Sequence, residues 1–285
     1  MNMIKTAMIT GANRGIGLEL TKKLIGEGWN VIALIKSNFP EVEQDIQMKI
    51  KEGQIRIYKA DLSNFIELKL AIKDIKENEK GIDVLFNNAG GSFDKLYYSA
   101  QARELHFELH TVVPYILLAE LKPLIKMGSH KLIVNTSTNA FNFIYRITYE
   151  DMMRPKKFKK LIGPYSTSKL AMTLWSQEIS SELSKEGIKI ICVDPGGNNT
   201  LRNDRKNGIP FFLIPITRWF FPHPSKGADI LYKSSIGNLS YQSGAYMTKG
   251  KNEPLKFSAY SSSVLEEIKS IYLNDYLEER QISHD

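Results

Sequence analysis

The stretch "GPYSTSKLAMTLW", beginning at Gly163, sets Tyr165 and Lys169 four residues apart at the start of a helix-like pattern. A phenol and an ammonium one helical turn apart share a face. Such a pair is common, and it takes meaning only from other groups. Near the N-terminus a strand-like run, "TAMIT", ends in "TGANRGIG", with Gly11, Gly15 and Gly17. A strand feeding a glycine-rich turn and then a helix suits pyrophosphate binding. Glycines let the backbone come close, and the helix N-terminus offers unpaired N–H donors and the positive end of a dipole. The spacing is Gly-x-x-x-Gly-x-Gly rather than the commoner Gly-x-Gly-x-x-Gly, so its position after the first strand carries the reading. The second strand closes "LIKSN". A chain that binds NAD usually carries Asp or Glu there for the ribose hydroxyls. Here Lys36 follows Ile35, no acid appears before Glu41, and Arg14 sits inside the glycine turn. Two cations without an acid favour a 2′-phosphate, so the expected cofactor is NADP(H).

The elements that must position these groups alternate along the chain. "TAMIT", "NVIALI", "QIRIYKAD", "IDVLFNNAG", "KLIVNTST" and "IKIICVDPGG" read as strands, several running into polar turns. Helical patterns separate them: "IGLELTKKLIGEG", "FIELKLAIKDIKEN", a long stretch from about Ser99 to Met127, and "YSTSKLAMTLWSQEISSELSKEG". This order predicts βαβ units, a parallel sheet with helices on both faces, and a Rossmann-type doubly wound α/β fold. No repeat or linker-like tract appears, so one domain over 1–285 is expected, with a helical tail near 261–285. Two long segments interrupt the alternation, 139–163 and 198–224. Both follow strands, and in such a sheet these loops surround the ligand crevice. The second contains "GIPFFLIPITRWFFP", read as a lid over an apolar substrate, with membrane contact through 209–222 as a lesser alternative.

Bulk properties bound the function. The 285 residues are 42% hydrophobic and 24% charged, with net charge +7, which suits a soluble globular chain with ample core. The cations are scattered except in "RPKKFKK", Arg154 to Lys160, read as a solvated loop. No nucleic-acid motif accompanies them, so no nucleic-acid partner is expected. Cys192 is the single cysteine. It lies in an apolar strand and reads as core, and a chain without a disulfide suits a reducing, cytoplasmic setting. The five histidines read as dispersed, without metal-ligand spacing, so no metal is expected. The opening "MNMIKTAMIT" is too short an apolar run for a signal peptide or anchor.

"TGANRGIG", "NNAG", "YSTSK" and "VDPGG", in that order, resemble the short-chain dehydrogenase/reductase family over roughly Lys5 to Tyr246. "ITYEDM", "SKLA", the aromatic loop and "KGADILY…SGAYM" are most similar to its retinol-dehydrogenase-like branch. The resemblance implies that Tyr165 donates a proton to a carbonyl oxygen during hydride transfer. Lys169 would favour its phenolate and hold the nicotinamide ribose, since a free tyrosine pKa of about 10 is too high for exchange near neutrality. A strand hydroxyl would polarise the carbonyl: Thr138 where a serine is usual, with Ser137 as the alternative. His110 stands where the family has an asparagine that holds a relay water; it could relay protons itself or simply pack. The resemblance also implies cofactor contacts from Gly11, Asn13, Arg14, Gly15, Ile16, Gly17 and Lys36, and from Asp61 and Leu62 beside adenine. Asn88, Ala89 and Gly90 would line the ribose, and Pro195, Gly196 and Thr200 would flank the nicotinamide.

Two functions follow. One is an NADP(H)-dependent carbonyl reductase or alcohol dehydrogenase acting on a small carbonyl or alcohol. The other is a non-catalytic NADP(H)-binding regulator on the same fold. A homodimer is possible through the helices near Ser99 and Tyr165. The stripe Met172, Trp175, Ile179 and Leu183, however, is of a kind that more often faces a core.

Overall fold

The computed structural model describes residues 4–197, 222–237 and 241–278. Thr200 and the expected lid at 208–221 lie outside the described residues. Eight strands form one sheet: β1 (Thr6–Thr10), β2 (Asn30–Ile35), β3 (Ile55–Lys59), β4 (Val84–Asn87), β5 (Leu132–Thr136), β6 (Lys189–Asp194), β7 (Tyr246–Thr248) and β8 (Lys251–Asn252). Their order is β3-β2-β1-β4-β5-β6-β7-β8. Every pairing is parallel except β7 with β8. The order reverses between β1 and β4, so a crevice opens at the C-terminal ends of those two strands.

Strand alternation divides the core. Ala7, Ile9, Val31, Ala33 and Ile35 face one side, where α1 (Gly15–Gly26), α2 (Gln44–Lys51) and α8 (Pro224–Ser235) lie. Met8, Ile32 and Leu34 face the other, under α3 (Phe65–Asn78), α5 (Val113–Met127), α7 (Pro164–Lys185) and α9 (Ser261–Ser270). Period-two side chains with both faces covered are what a parallel sheet requires.

Three sequence expectations change. The helix expected from Ser99 begins at Leu105. Residues before it form a turn closed by a Tyr98–Glu104 bridge, and the Glu104 carboxylate accepts a capping hydrogen bond from the Phe107 N–H at 3.0 Å. This helix, α4 (Leu105–Phe107), then passes through a π-helical turn (Glu108–Val112) into α5. The short helix α2 escaped the sequence reading; its one buried residue, Ile46, leaves too weak an amphipathic pattern. Loop 139–163 is partly ordered by a 3₁₀ turn (Ala140–Phe143) and α6 (Tyr149–Met153). The stripe Met172, Trp175, Ile179 and Leu183 is buried in the core. Helix α9 packs along α7, with Ser262 Oγ donating to Glu178 at 2.7 Å, so this face meets the chain's own C-terminal segment. Among the described residues, no helix is long and apolar enough to cross a membrane.

Candidate active site

The glycine turn is built from backbone. Gly11 and Gly15 adopt φ of +66° and +52°, a region that favours glycine. A Cβ on Gly17 would lie 2.2 Å from Gly11 O and 2.7 Å from Asn88 Nδ2, so only glycine lets α1 begin this close to β4. Arg14 is the N-cap of α1 but makes no side-chain cap bond, and the first turn carries no acid. In α3, by contrast, Asn64 accepts from Ile66 N at 3.0 Å. Helices α2, α7 and α9 likewise lack a side-chain cap, so it is the glycine geometry that sets the start of α1 apart. Thr10 ties the two switch-point strands together: its Oγ accepts from Asn88 N and Ala89 N, each at 2.9 Å. Asn13 is buried and donates to Ser37 O at 2.7 Å and Asn38 O at 3.0 Å, holding the loop that presents Lys36.

These contacts bring Gly11, Gly15, Ile16, Gly17, Asn88 and Ala89 together at one rim and let Asn13 shape it from beneath. Lys36 and Arg14 are exposed at its edge. One neighbour was not legible in sequence: the Lys36 ammonium bonds the Asp61 carboxylate. Partial burial would raise the Asp61 carboxyl, but hydrogen bonds from Lys36 and Ser63 outweigh it and hold it below its ordinary value. Lys36 therefore has an acid beside it in space, though none stands next to it in sequence. The Leu62 side chain belongs to the core, so only its backbone can face a ligand.

The second half of the site lies beyond β5 and β6. Tyr165 stands on the first turn of α7, which opens with Pro164 after Gly163. Burial pushes its phenol above the ordinary value, the Thr138 side chain opposes this by hydrogen bonding to it, and the Asp194 charge adds to the rise. Ser137 points elsewhere, its Oγ 2.9 Å from Thr173 Oγ1. Alternation along the strand admits one of the two, and of the two it is the Thr138 side chain that acts on the Tyr165 phenol. Lys169 is buried and donates from Nζ to Thr136 O at 2.5 Å; burial pushes its pKa down to about 7. The Lys169 ammonium is thus tied to the last residue of β5. Pro195 and Gly196 form the turn after β6, where Gly196 has φ of +74°. Asp194, missed in the sequence reading, accepts from Gly196 N at 2.9 Å; its place in "VDPGG" was the available signal. Cys192 is buried beside Lys169, its thiol pushed up to about 11 by burial, which fits core rather than nucleophile.

His110 lies beside Tyr165, ring centroids 5.6 Å apart. His106, one turn earlier, is 5.7 Å from His110. The expectation of dispersed histidines is therefore wrong for this pair: four residues apart on one helix, they meet on one face. Their ring nitrogens are taken by other groups. Gly91 N donates to His110 Nε2 at 3.2 Å and Phe93 N to His106 Nε2 at 3.0 Å. Among the described residues, no cluster of three or more potential metal ligands occurs.

A glycine turn at the start of a helix, joined across a switch point to a half-buried Tyr165 beside buried Lys169 and Thr138, defines a dinucleotide-dependent oxidoreductase. The family model for short chain dehydrogenase matches residues 5–148. The chain belongs to the short-chain dehydrogenase family, within its retinol-dehydrogenase-like branch, and is a hydride-transfer oxidoreductase using a nicotinamide cofactor. It is 26% identical over 284 residues to mouse retinol dehydrogenase 14, covering 94% of this chain and 84% of that one. It is 28% identical over 198 residues to human retinol dehydrogenase 12, covering 67% of this chain and 61% of the relative, so that match spans under two thirds of the relative's length. A carbonyl reductase from chicken fatty liver, solved with NADPH bound, superposes with a TM-score of 0.64 at 21% identity, covering 88% of this chain and 98% of that one. That likeness concerns the fold.

Proposed function

We propose that this protein is an NADP(H)-dependent short-chain oxidoreductase that interconverts a carbonyl and an alcohol on a largely apolar small molecule. The observation that carries the reading is that Tyr165, on the first turn of α7, has the Thr138 side chain acting on its phenol and Lys169 one turn along the same helix. The residues at the switch point fit a dinucleotide, since the turn is glycine-built and the helix start uncapped. When bound, the nicotinamide supplies or accepts the hydride. Tyr165 holds the proton that a carbonyl oxygen needs, and its raised pKa keeps it protonated at neutral pH. Thr138 orients that proton and offers a second polar contact to the oxygen. Lys169, kept near the base of the site by Thr136 O, is placed to hold a ribose hydroxyl. Arg14 and Lys36 at the outer rim are the groups suited to a 2′-phosphate. Exposed Phe143, Leu161 and Ile162 in the loop between β5 and α7 support an apolar substrate. A reducing setting such as the cytoplasm suits the single buried Cys192.

The test is NADPH oxidation against a panel of apolar aldehydes and ketones, with Tyr165→Phe as the control. Turnover that disappears in the variant supports the reading. NADPH binding without turnover across the panel favours the alternative, a non-catalytic NADP(H)-binding regulator.

A further inference from the structure

His106 and His110 are fully buried, and every hydrogen on their rings can be placed. Gly91 N–H donates to His110 Nε2, so that nitrogen carries a lone pair and Nδ1 carries the hydrogen. Nδ1 lies 2.9 Å from Ser168 Oγ. The Ser168 hydroxyl in turn donates to the Tyr165 backbone oxygen at 2.9 Å, so Ser168 Oγ accepts from His110. The chain runs from Gly91 N–H through the imidazole and Ser168 to a carbonyl and ends there. It is a structural chain, with no proton left over to pass on. His106 repeats the pattern: Phe93 N–H donates to Nε2, and Nδ1 faces Glu104 Oε1 at 2.7 Å. The Phe93 ring packs edge-on against His106 at 4.6 Å. Gly90 completes the fit, because a Cβ there would lie 2.3 Å from His110 Nε2.

We propose that His106 and His110 are a pair of positioning residues whose unprotonated Nε2 atoms suspend the segment Gly91–Phe93 beside Tyr165, fixing the floor of the site and the tyrosine ring together. This rests on the reading of Tyr165 as proton donor. A protonated His110 ring would present a donor to the Gly91 N–H instead of a lone pair, so that suspension breaks in acid. The charged and titratable neighbours are few. His110 faces Lys169 and Tyr165 from α7 and His106 from its own helix; burial first, then the charges of Lys169 and His106, hold its pKa well below 6.5. His106 faces Glu104, His110 and the Tyr165 ring at 6.3 Å. The next turn is occupied by the buried Glu108, bonded to Arg103, which also reaches Asp275.

Amide hydrogen exchange resolved by NMR in the ligand-free full chain tests this without depending on any substrate. Exchange of Gly91 and Phe93 should be slow at pH 8, and that of Gly91 should accelerate at least tenfold in acid, beyond the intrinsic pH dependence of amide exchange. His110→Gln and His106→Gln place an acceptor near the Nε2 position that does not titrate. Each should keep its own amide protected, and His110→Gln should abolish the acid acceleration at Gly91. His110→Leu should expose Gly91, and His106→Leu should expose Phe93, at least tenfold at pH 8. Unchanged protection in the Leu variants, or an acid response at Gly91 that survives in His110→Gln, overturns the proposal. Should a Leu variant fail to fold, the wild-type and Gln exchange profiles still decide it. If exchange behaves as stated but no substrate turns over, the suspension stands and the catalytic reading fails.

Discussion

At the glycine turn the binding surface is made of backbone, whereas around Tyr165 it is made of buried side chains. The turn works by geometry: positive φ at Gly11 and Gly15, and no room for a Cβ at Gly17. Around Tyr165 the opposite holds. Tyr165, Lys169, His110 and Asp194 are all shifted by desolvation, and each depends on packing supplied by other elements. The contrast teaches that one half of the site should be sensitive to volume and the other to charge and proton position.

The largest effect expected is on the side-chain half. Tyr165→Phe keeps the ring and removes the proton, so turnover should fall by about 10²–10⁴-fold while NADPH affinity survives. Stopped-flow turnover and fluorescence titration measure the two separately. Wild-type rates in the variant would break the assignment.

On the backbone half, Gly17→Ala adds one methyl 2.2 Å from Gly11 O. Overpacking of this kind costs about 1–3 kcal/mol, and the forced shift separates the turn from Asn88. NADPH affinity should drop by more than tenfold with little change in turnover at saturating cofactor. A kcat loss at unchanged affinity would mean that the two halves are not separable in this way.

Lys169 sharpens the comparison through pH. Its pKa is about 7 in the folded chain against 10.5 for the free side chain. Between these values the unfolded chain holds a proton that the folded chain has released. The group's contribution to stability therefore rises with pH from about 7 to 10.5 and is least favourable below 7. Lys169→Met should be inactive yet more stable at pH 6–7, by about 1–3 kcal/mol. Its advantage over the wild type should shrink as pH rises, which melting curves from pH 6 to 10 would follow. A variant less stable than the wild type at pH 6 would show that the ammonium is well accommodated.

The smallest effect belongs to the rim. Lys36 is 70% exposed and paired with Asp61, so screening and a competing acid weaken its pull on a 2′-phosphate. Lys36→Asp should reduce the preference for NADPH over NADH by about three- to tenfold. Equal affinities in the wild type would instead remove the reason for expecting NADPH.

Legibility followed the same division. "TGANRGIG" could be read because a phosphate-binding turn needs a strand, glycines and a helix in one continuous stretch. Tyr165 and Lys169 could be read because they share one helix face. Thr138 against Ser137 could not be decided, since either phase of the strand satisfied the pattern until α7 packed against it. The start of α4 at Leu105 was missed because the preceding turn is held by a Tyr98–Glu104 bridge and a Glu104 cap, not by any helix-breaking residue.

By itself the sequence determined the alternation of strands and helices, the glycine turn and the Tyr–Lys spacing, because each is set by neighbours within a few residues. Only the tertiary structure decided that Lys36 meets Asp61, that Lys169 turns to Thr136, and that two histidines hang the Gly91–Phe93 segment beside Tyr165. Those outcomes depend on which groups lose water together, and burial is a property of packed elements rather than of any one stretch of chain.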